Sequence, residues 1–266
     1  MSGGWRGLAG MAALAAAGLA MLVAEKRRAL RRPTQPEPQR TMVNLALGAL
    51  ATATMTAVEQ PLSDAATRLV ERRRFGLAQL IPSPTLRDVA GFLLMDYATY
   101  GWHVLTHKAG PLWRLHLVHH VDMDLDTTTA LRFHAVDMAV SAPARALQIV
   151  ALGVSPRAMA VWRPWFLFAV LFHHSNLALP PEWDRRLAWV VTTPRMHGIH
   201  HSASRALTDS NWSSGLSLWD RLHRTFRYDE AERPIGVPAY RRTEELGVAL
   251  SLALPFRPQR DDWAEA

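Results

Sequence analysis

Long uncharged stretches, separated by clusters of arginine, constrain this chain more than any other feature. Residues 7–24 carry no charged side chain, and neither do residues 41–58. Each comes close to the roughly 20 apolar residues that a helix needs to cross a bilayer core. Three further apolar blocks follow: 89–105, with Asp88 near its start, then 135–154 and 158–179. Unpaired backbone amides are not tolerated in hydrocarbon, so blocks of this length read as helices. Gly153-Val154-Ser155-Pro156 is a turn signal, which makes the last two blocks a helical hairpin entering and leaving on one side. Asp137, Arg145 and Arg163 lie within that hairpin, so other helices should shield it in part. The expected fold is an all-α integral membrane helical bundle of about four to five spans, with a helical cap. The first block has a rival reading as a signal peptide, because Arg6 precedes it. A retained helix is preferred because six basic residues follow between Lys26 and Arg40.

The charge distribution supports that organisation. The net charge of +7 would suit nucleic acid, but the basic residues flank the apolar blocks, as in Lys26-Arg27-Arg28, Arg31-Arg32 and Arg72-Arg73-Arg74. That placement favours a membrane surface and no nucleic acid. Residues 65–79 read as a basic helix lying at the interface and ended by Pro82 and Pro84. With the basic loop 25–40 on the cytoplasmic side, the ends bearing His103, His120, His174 and His201 also fall there. Arg72-Arg73-Arg74 outside is the strain in that topology, and a re-entrant second segment would remove it. Residues 244–255 are too short to span, and either dock on the core or lie at the interface. The expected divisions are a membrane anchor at 1–85 with two spans and the interfacial segment, a catalytic domain at 86–230, and a cytoplasmic tail at 231–266.

Eleven of the twelve histidines fall between His103 and His201. They form three clusters: His103 and His107; His116, His119 and His120; His197, His200 and His201. Spacings of i, i+3 and i+4 put the rings of each cluster on one face of a helix. Several imidazoles aimed at one place indicate metal. The chain has no cysteine, which excludes disulfides, thiolate sites and iron–sulfur clusters. One structural site needs about four ligands, so eight or more histidines imply two metals. Asp96 lies seven residues before His103, about two turns, and so on the same face. It is either a residue supporting the site or a buried side chain tied to backbone or tyrosine.

The ordered set resembles the fatty acid hydroxylase/sterol desaturase superfamily over roughly residues 88–227. The resemblance rests on the three boxes and on their surroundings: Asp96-Tyr97 and Tyr100, Leu112-Trp113-Arg114-Leu115, Arg132-Phe133-His134, Phe172-His173-His174-Ser175-Asn176, Thr193-Pro194-Arg195-Met196, and Asn211 with Leu218-Trp219-Asp220-Arg221-Leu222. Departures are Val104 after the first histidine, Ala135 and Asp137 where Pro and Glu are usual, Gly198 for a common Arg, and His223-Arg224 for Phe-Gly. The resemblance implies that His103, His107, His116, His119, His120, His197, His200 and His201 bind two irons, with His174 as a further ligand. His134 is a ligand or a partner of one. His173 is adjacent to His174 and points about 100° away on a helix; His223, outside the boxes, is read as a surface residue. It further implies O₂ as co-substrate and oxidation of an unactivated C–H bond of a membrane lipid, giving a hydroxyl group or a double bond. Electrons would come from a ferredoxin- or cytochrome-type protein and its reductase, because the chain has no dinucleotide-binding glycine motif of its own. The implied location is a bacterial inner membrane, with the boxes cytoplasmic. Rival readings are a zinc-bound hydrolase-like protein, a metal transporter or sensor, and a scaffold with a decayed site.

Overall fold

The computed structural model describes residues 2–263, with side chains from residue 12 onward. Part of the uncharged stretch 7–24 therefore lies outside the described side chains. The described residues form helices joined by loops, with three isolated β-bridges and no strand among them. The helices are α1 (Ser2–Arg27), α2 (Glu37–Thr54), α3 (Gln60–Arg73), α4 (Pro84–Lys108), α5 (Gly110–His120), α6 (Ala135–Leu152), α7 (Pro156–His174), α8 (Pro181–Leu187), α9 (Pro194–His200), α10 (Arg205–Thr208), α11 (Leu218–Leu222) and α12 (Val248–Ala253). Among the described residues, two helical stretches are long and apolar enough to cross a membrane, Glu37–Leu80 and Ala135–Leu152.

Local chemistry sets the boundaries. Ser83 and Ser155 accept the N–H of Leu86 and Ala158, and Pro84 and Pro156 follow at the first helical position. Gly153 ends α6 in the left-handed region at φ 73°. It meets Gly76, where a Cβ would lie 2.3 Å from the Gly153 nitrogen, so only two glycines let these turns touch. This contact closes the end of the bundle opposite the histidines.

One expected boundary is corrected. The chain does not leave the second apolar block for a connection and a separate interfacial helix over 65–79. A single π-helical turn, Met55–Glu59, joins α2 directly to α3, which runs to Arg73. Pro61 supplies the reason: it has no N–H for an α-type bond and its ring crowds the preceding turn, so the ladder widens for one turn instead of breaking.

Helix α3, within the expected anchor, shares a core with α4, α6 and α7. Ala66 and Val70 of α3 pack with Met95, Ile149, Val154, Ala158, Met159 and Trp162. The tail is docked as well, with Val237, Ala239, Tyr240 and Leu246 packed against Leu117 and Val121 beside α5. The basic linker between α1 and α2 is also used internally. Leu30 N donates to the Asn176 carbonyl and Ala178 N to that of Arg28, both at 2.7 Å, directly after the histidines of α7. Arg40 is buried and bonds Asp122, Asp126 and Thr129 in the loop after α5. Burial alone would raise the Asp122 carboxyl; Arg40 and Arg132 outweigh it and hold the group at about 2.

Candidate metal centre

The histidines converge because α4, α5, α7 and α9 end at one level. α4 delivers His103 and His107, α5 delivers His116, His119 and His120, α7 delivers His173 and His174, and α9 delivers His197, His200 and His201. Their nitrogens fall into two groups of four. His103, His107, His120 and His200 form one group and His119, His174, His197 and His201 the other, with the donor atoms of each group within 4.8 Å of one another. His116 groups with His119 and His120, between the two sets. The stacked rings of His120 and His201, 4.2 Å apart, join them.

Backbone carbonyls fix the ring orientations. The Nδ1–H of His103 donates to Trp212 O at 2.8 Å, that of His174 to Val170 O at 2.8 Å, that of His200 to Ser210 O at 2.9 Å and that of His119 to Arg132 O at 3.3 Å. A carbonyl only accepts, so in a neutral ring the Nε2 lone pair is left bare and turned inward. His119 Nε2 and His174 Nε2 face each other at 3.0 Å, and His197 Nε2 lies 3.0 Å from His174 and 3.1 Å from His201. The Nε2 atoms of His107, His116, His120 and His200 are buried with no partner at all. Protonation does not resolve this crowding. Burial, then the neighbouring imidazoles, push His119, His120, His197 and His201 well below their ordinary pKa, and burial takes His200 down to about 3.

The lone pairs of His119 and His174, both bare and 3.0 Å apart, repel unless a cation lies between them. Two nitrogens about 2.1 Å from one ion and at right angles are about 3.0 Å apart. The donor set is all imidazole, which suits iron, zinc, copper or nickel and not calcium or magnesium. The residues therefore fit two transition-metal ions.

Not every sequence candidate joins the cluster. His134 caps α6 by accepting Val136 N at 3.1 Å, and its Nε2–H donates to Leu252 O at 3.2 Å, so neither nitrogen is free for a metal. Asp96 does not touch the cluster. It accepts Trp219 Nε1 at 2.7 Å, Leu216 N at 3.1 Å and Trp165 Nε1 at 3.0 Å, and so ties the closing segment to the bundle. Its partners are tryptophans and an amide, and no tyrosine. His173, expected to point away, has its ring 4.0 Å from His197, because α9 packs across the end of α7 and meets both histidines. His223 is exposed and bonds the Tyr97 hydroxyl at 2.9 Å.

Three supporting features were not assigned from the sequence. Asp137 lies 3.6 Å from His116 Nδ1 and stands where the resemblance expects Glu, a position that pointed to it. Phe133 stacks on His119 at 4.4 Å, and Trp212 covers His103, His107 and His200. Arg31 lies against Gly198 of α9 and donates to Pro194 O at 3.0 Å, and no local sequence signal links those positions.

The fatty acid hydroxylase profile matches residues 89–225, just over half the chain and the whole of the histidine region. The chain belongs to the fatty acid hydroxylase family. Among curated members it is 31% identical over 137 residues to an alkylglycerol monooxygenase from Xenopus tropicalis, covering 51% of this chain and 29% of that protein. It is 30% identical over 142 residues to an ornithine lipid hydroxylase from Rhizobium tropici, covering 52% and 41%. The human alkylglycerol monooxygenase is 27% identical over 154 residues, covering 56% and 32%. The chain thus spans less than half the length of these relatives. No solved structure matches it. The shared region of the family is the part of this chain that carries α4 to α11.

Proposed function

We propose that this chain is a membrane-bound, O₂-dependent di-iron oxidoreductase that hydroxylates or desaturates a lipid. The observation that carries the reading is the pair of four-histidine groups, with the bare Nε2 atoms of His119 and His174 3.0 Å apart in one and the buried, unpartnered Nε2 atoms of His107, His120 and His200 in the other. His103, His107, His120 and His200 would hold one ion and His119, His174, His197 and His201 the other, with His116 between them. When bound, the irons would supply activation of O₂ for attack on an unactivated C–H bond. The protein's own residues do the rest. The carbonyls of Trp212, Val170, Ser210 and Arg132 set the tautomers and aim the nitrogens. Trp212, Phe133 and the helix ends keep bulk water from the cluster. The apolar helices bring a lipid to it without a passage through water.

The named relatives act as monooxygenases and hydroxylases, which favours hydroxylation over desaturation. Their substrates, an alkylglycerol and an ornithine lipid, favour a lipid with a polar head group. Four to five spans, an inner-membrane location with the histidine end cytoplasmic, and a ferredoxin- or cytochrome-type donor with its reductase belong to the same reading. Lipid mass spectrometry of cells with the protein, without it, and with His200→Ala tests it. A mass gain of one oxygen, absent in the other two, indicates hydroxylation, and loss of two hydrogens indicates desaturation. Purified protein holding two zincs and turning over without O₂ sinks the proposal.

A further inference from the structure

The region after Pro180 is polar in sequence, yet it carries an exposed aromatic patch. In α8 and its continuation, Trp183, Leu187 and Val190 recur at i, i+4 and i+7, the spacing of one helical face. Trp183 is 59% exposed, Trp189 65% and Val190 59%. Leu218 and Leu222, one turn apart on α11, are exposed too, Leu222 at 63%. These residues adjoin. Val190 O accepts Ser217 N at 3.0 Å, Ala188 O accepts the Ser217 hydroxyl at 2.8 Å, and the Arg221 guanidinium sits 3.8 Å over the Trp189 ring.

Exposed apolar side chains of this size, set together in a soluble surface, need an occupant. The neighbouring surface identifies it. Leu218 and Leu222 flank Trp219, whose ring is 5.0 Å from Tyr97 on α4. Tyr97 in turn continues the outward strip Leu86, Val89 and Leu93 of the same helix. The patch is therefore continuous with an exposed apolar strip of α4, whose residues 89–105 form one of the blocks expected to span. Its composition, tryptophan with arginine at the rim (Arg185, Arg186 and Arg221), is that of side chains at the boundary between hydrocarbon and head groups.

We infer that α8, the Trp189-Val190 turn and α11 form a seat inserted into the head-group boundary of the leaflet on the histidine side. Asp96 fastens that seat to the bundle through Trp219 and Leu216. The seat also sets the height of the metal centre. His103 follows Tyr97 by six residues, so the cluster stands about 9 Å above the level of Tyr97. A chain entering from that leaflet would need to rise only that far.

The chain has no cysteine, so single-cysteine variants can carry an environment-sensitive fluorophore without other changes. Trp183→Cys, Trp189→Cys and Leu222→Cys would be labelled and reconstituted in phosphatidylcholine–phosphatidylglycerol vesicles. Leu93→Cys on α4 serves as the lipid standard and Arg242→Cys, exposed on the docked tail, as the aqueous standard. The expected result is blue-shifted emission and quenching by brominated lipid at the three seat positions, as at Leu93→Cys. Emission and quenching matching Arg242→Cys at those positions overturn the proposal. Three independent positions keep the test decisive if one variant fails to fold. The seat rests on the membrane-bound reading above, which fails separately if Leu93→Cys also matches Arg242→Cys; the readout needs neither metal nor turnover, so it stands apart from the di-iron chemistry.

Discussion

Gly198 and Arg31 are far apart in sequence but occupy one space. A Cβ built on Gly198 lies 1.7 Å from Arg31 Nη2 and 2.4 Å from its Cζ. Gly198→Ala must therefore evict the guanidinium, which then loses its 3.0 Å bond to Pro194 O at the start of α9. A hydrogen bond from a charged donor contributes about 1.5–3 kcal/mol, and that is the expected cost. Arg31→Ala loses the same bond and costs about the same. In the double variant the methyl enters space already vacated, so no further loss follows. Replacing a helical glycine by alanine even returns up to about 1 kcal/mol. The cycle should thus show a coupling of about 1.5–3 kcal/mol, read from thermal unfolding in one detergent, with bound metal measured alongside. Both single variants should hold metal less tightly, since α9 carries His197, His200 and His201. Costs that add to within about 0.3–0.5 kcal/mol would refute the shared-space argument.

Arg40→Met leaves buried Asp122 without its main counter-charge and should destabilise the protein by about 3–5 kcal/mol, seen as a lowered melting temperature. An unchanged melt would show that the Arg40–Asp122 pair does not hold the loop after α5. His134→Gln should keep the full metal content, whereas His119→Ala should lose metal; elemental analysis after purification distinguishes them, and equal losses contradict the assignment of His134 as a cap. Stability of chelator-treated protein should depend on pH. The folded pKa of His200 is depressed to about 3 and those of His119, His120, His197 and His201 also lie well below 6.5. The unfolded chain therefore takes up protons first as pH falls below about 6.5. Each such histidine removes up to about 1.4 kcal/mol per pH unit, with full stability above that window. A melt that does not move between about pH 8 and pH 5 would contradict the buried, neutral state.

Much of this protein was readable along the chain, because its strongest signals are local. Uncharged blocks of helical length and imidazoles at i, i+3 and i+4 need no knowledge of distant residues. The residues of the three boxes and His174 do meet in space, since helix geometry alone puts each set on one face. Three outcomes depended on contacts that spacing does not encode. His134 turned out to be a helix cap, because Val136 and Leu252 take both of its nitrogens. His173 came up against His197 because α9 crosses the end of α7. Arg31 and Arg40, read as charges that orient a membrane protein, are spent on α9 and on Asp122. The sequence by itself determined an all-helical chain with a histidine-rich site and its family. Only the tertiary structure decided which ring nitrogens are bare, what aims them and which apolar side chains stay exposed. Those properties depend on side chains brought together from helices more than 60 residues apart, as with His119 and His201, and packing alone sets such distances.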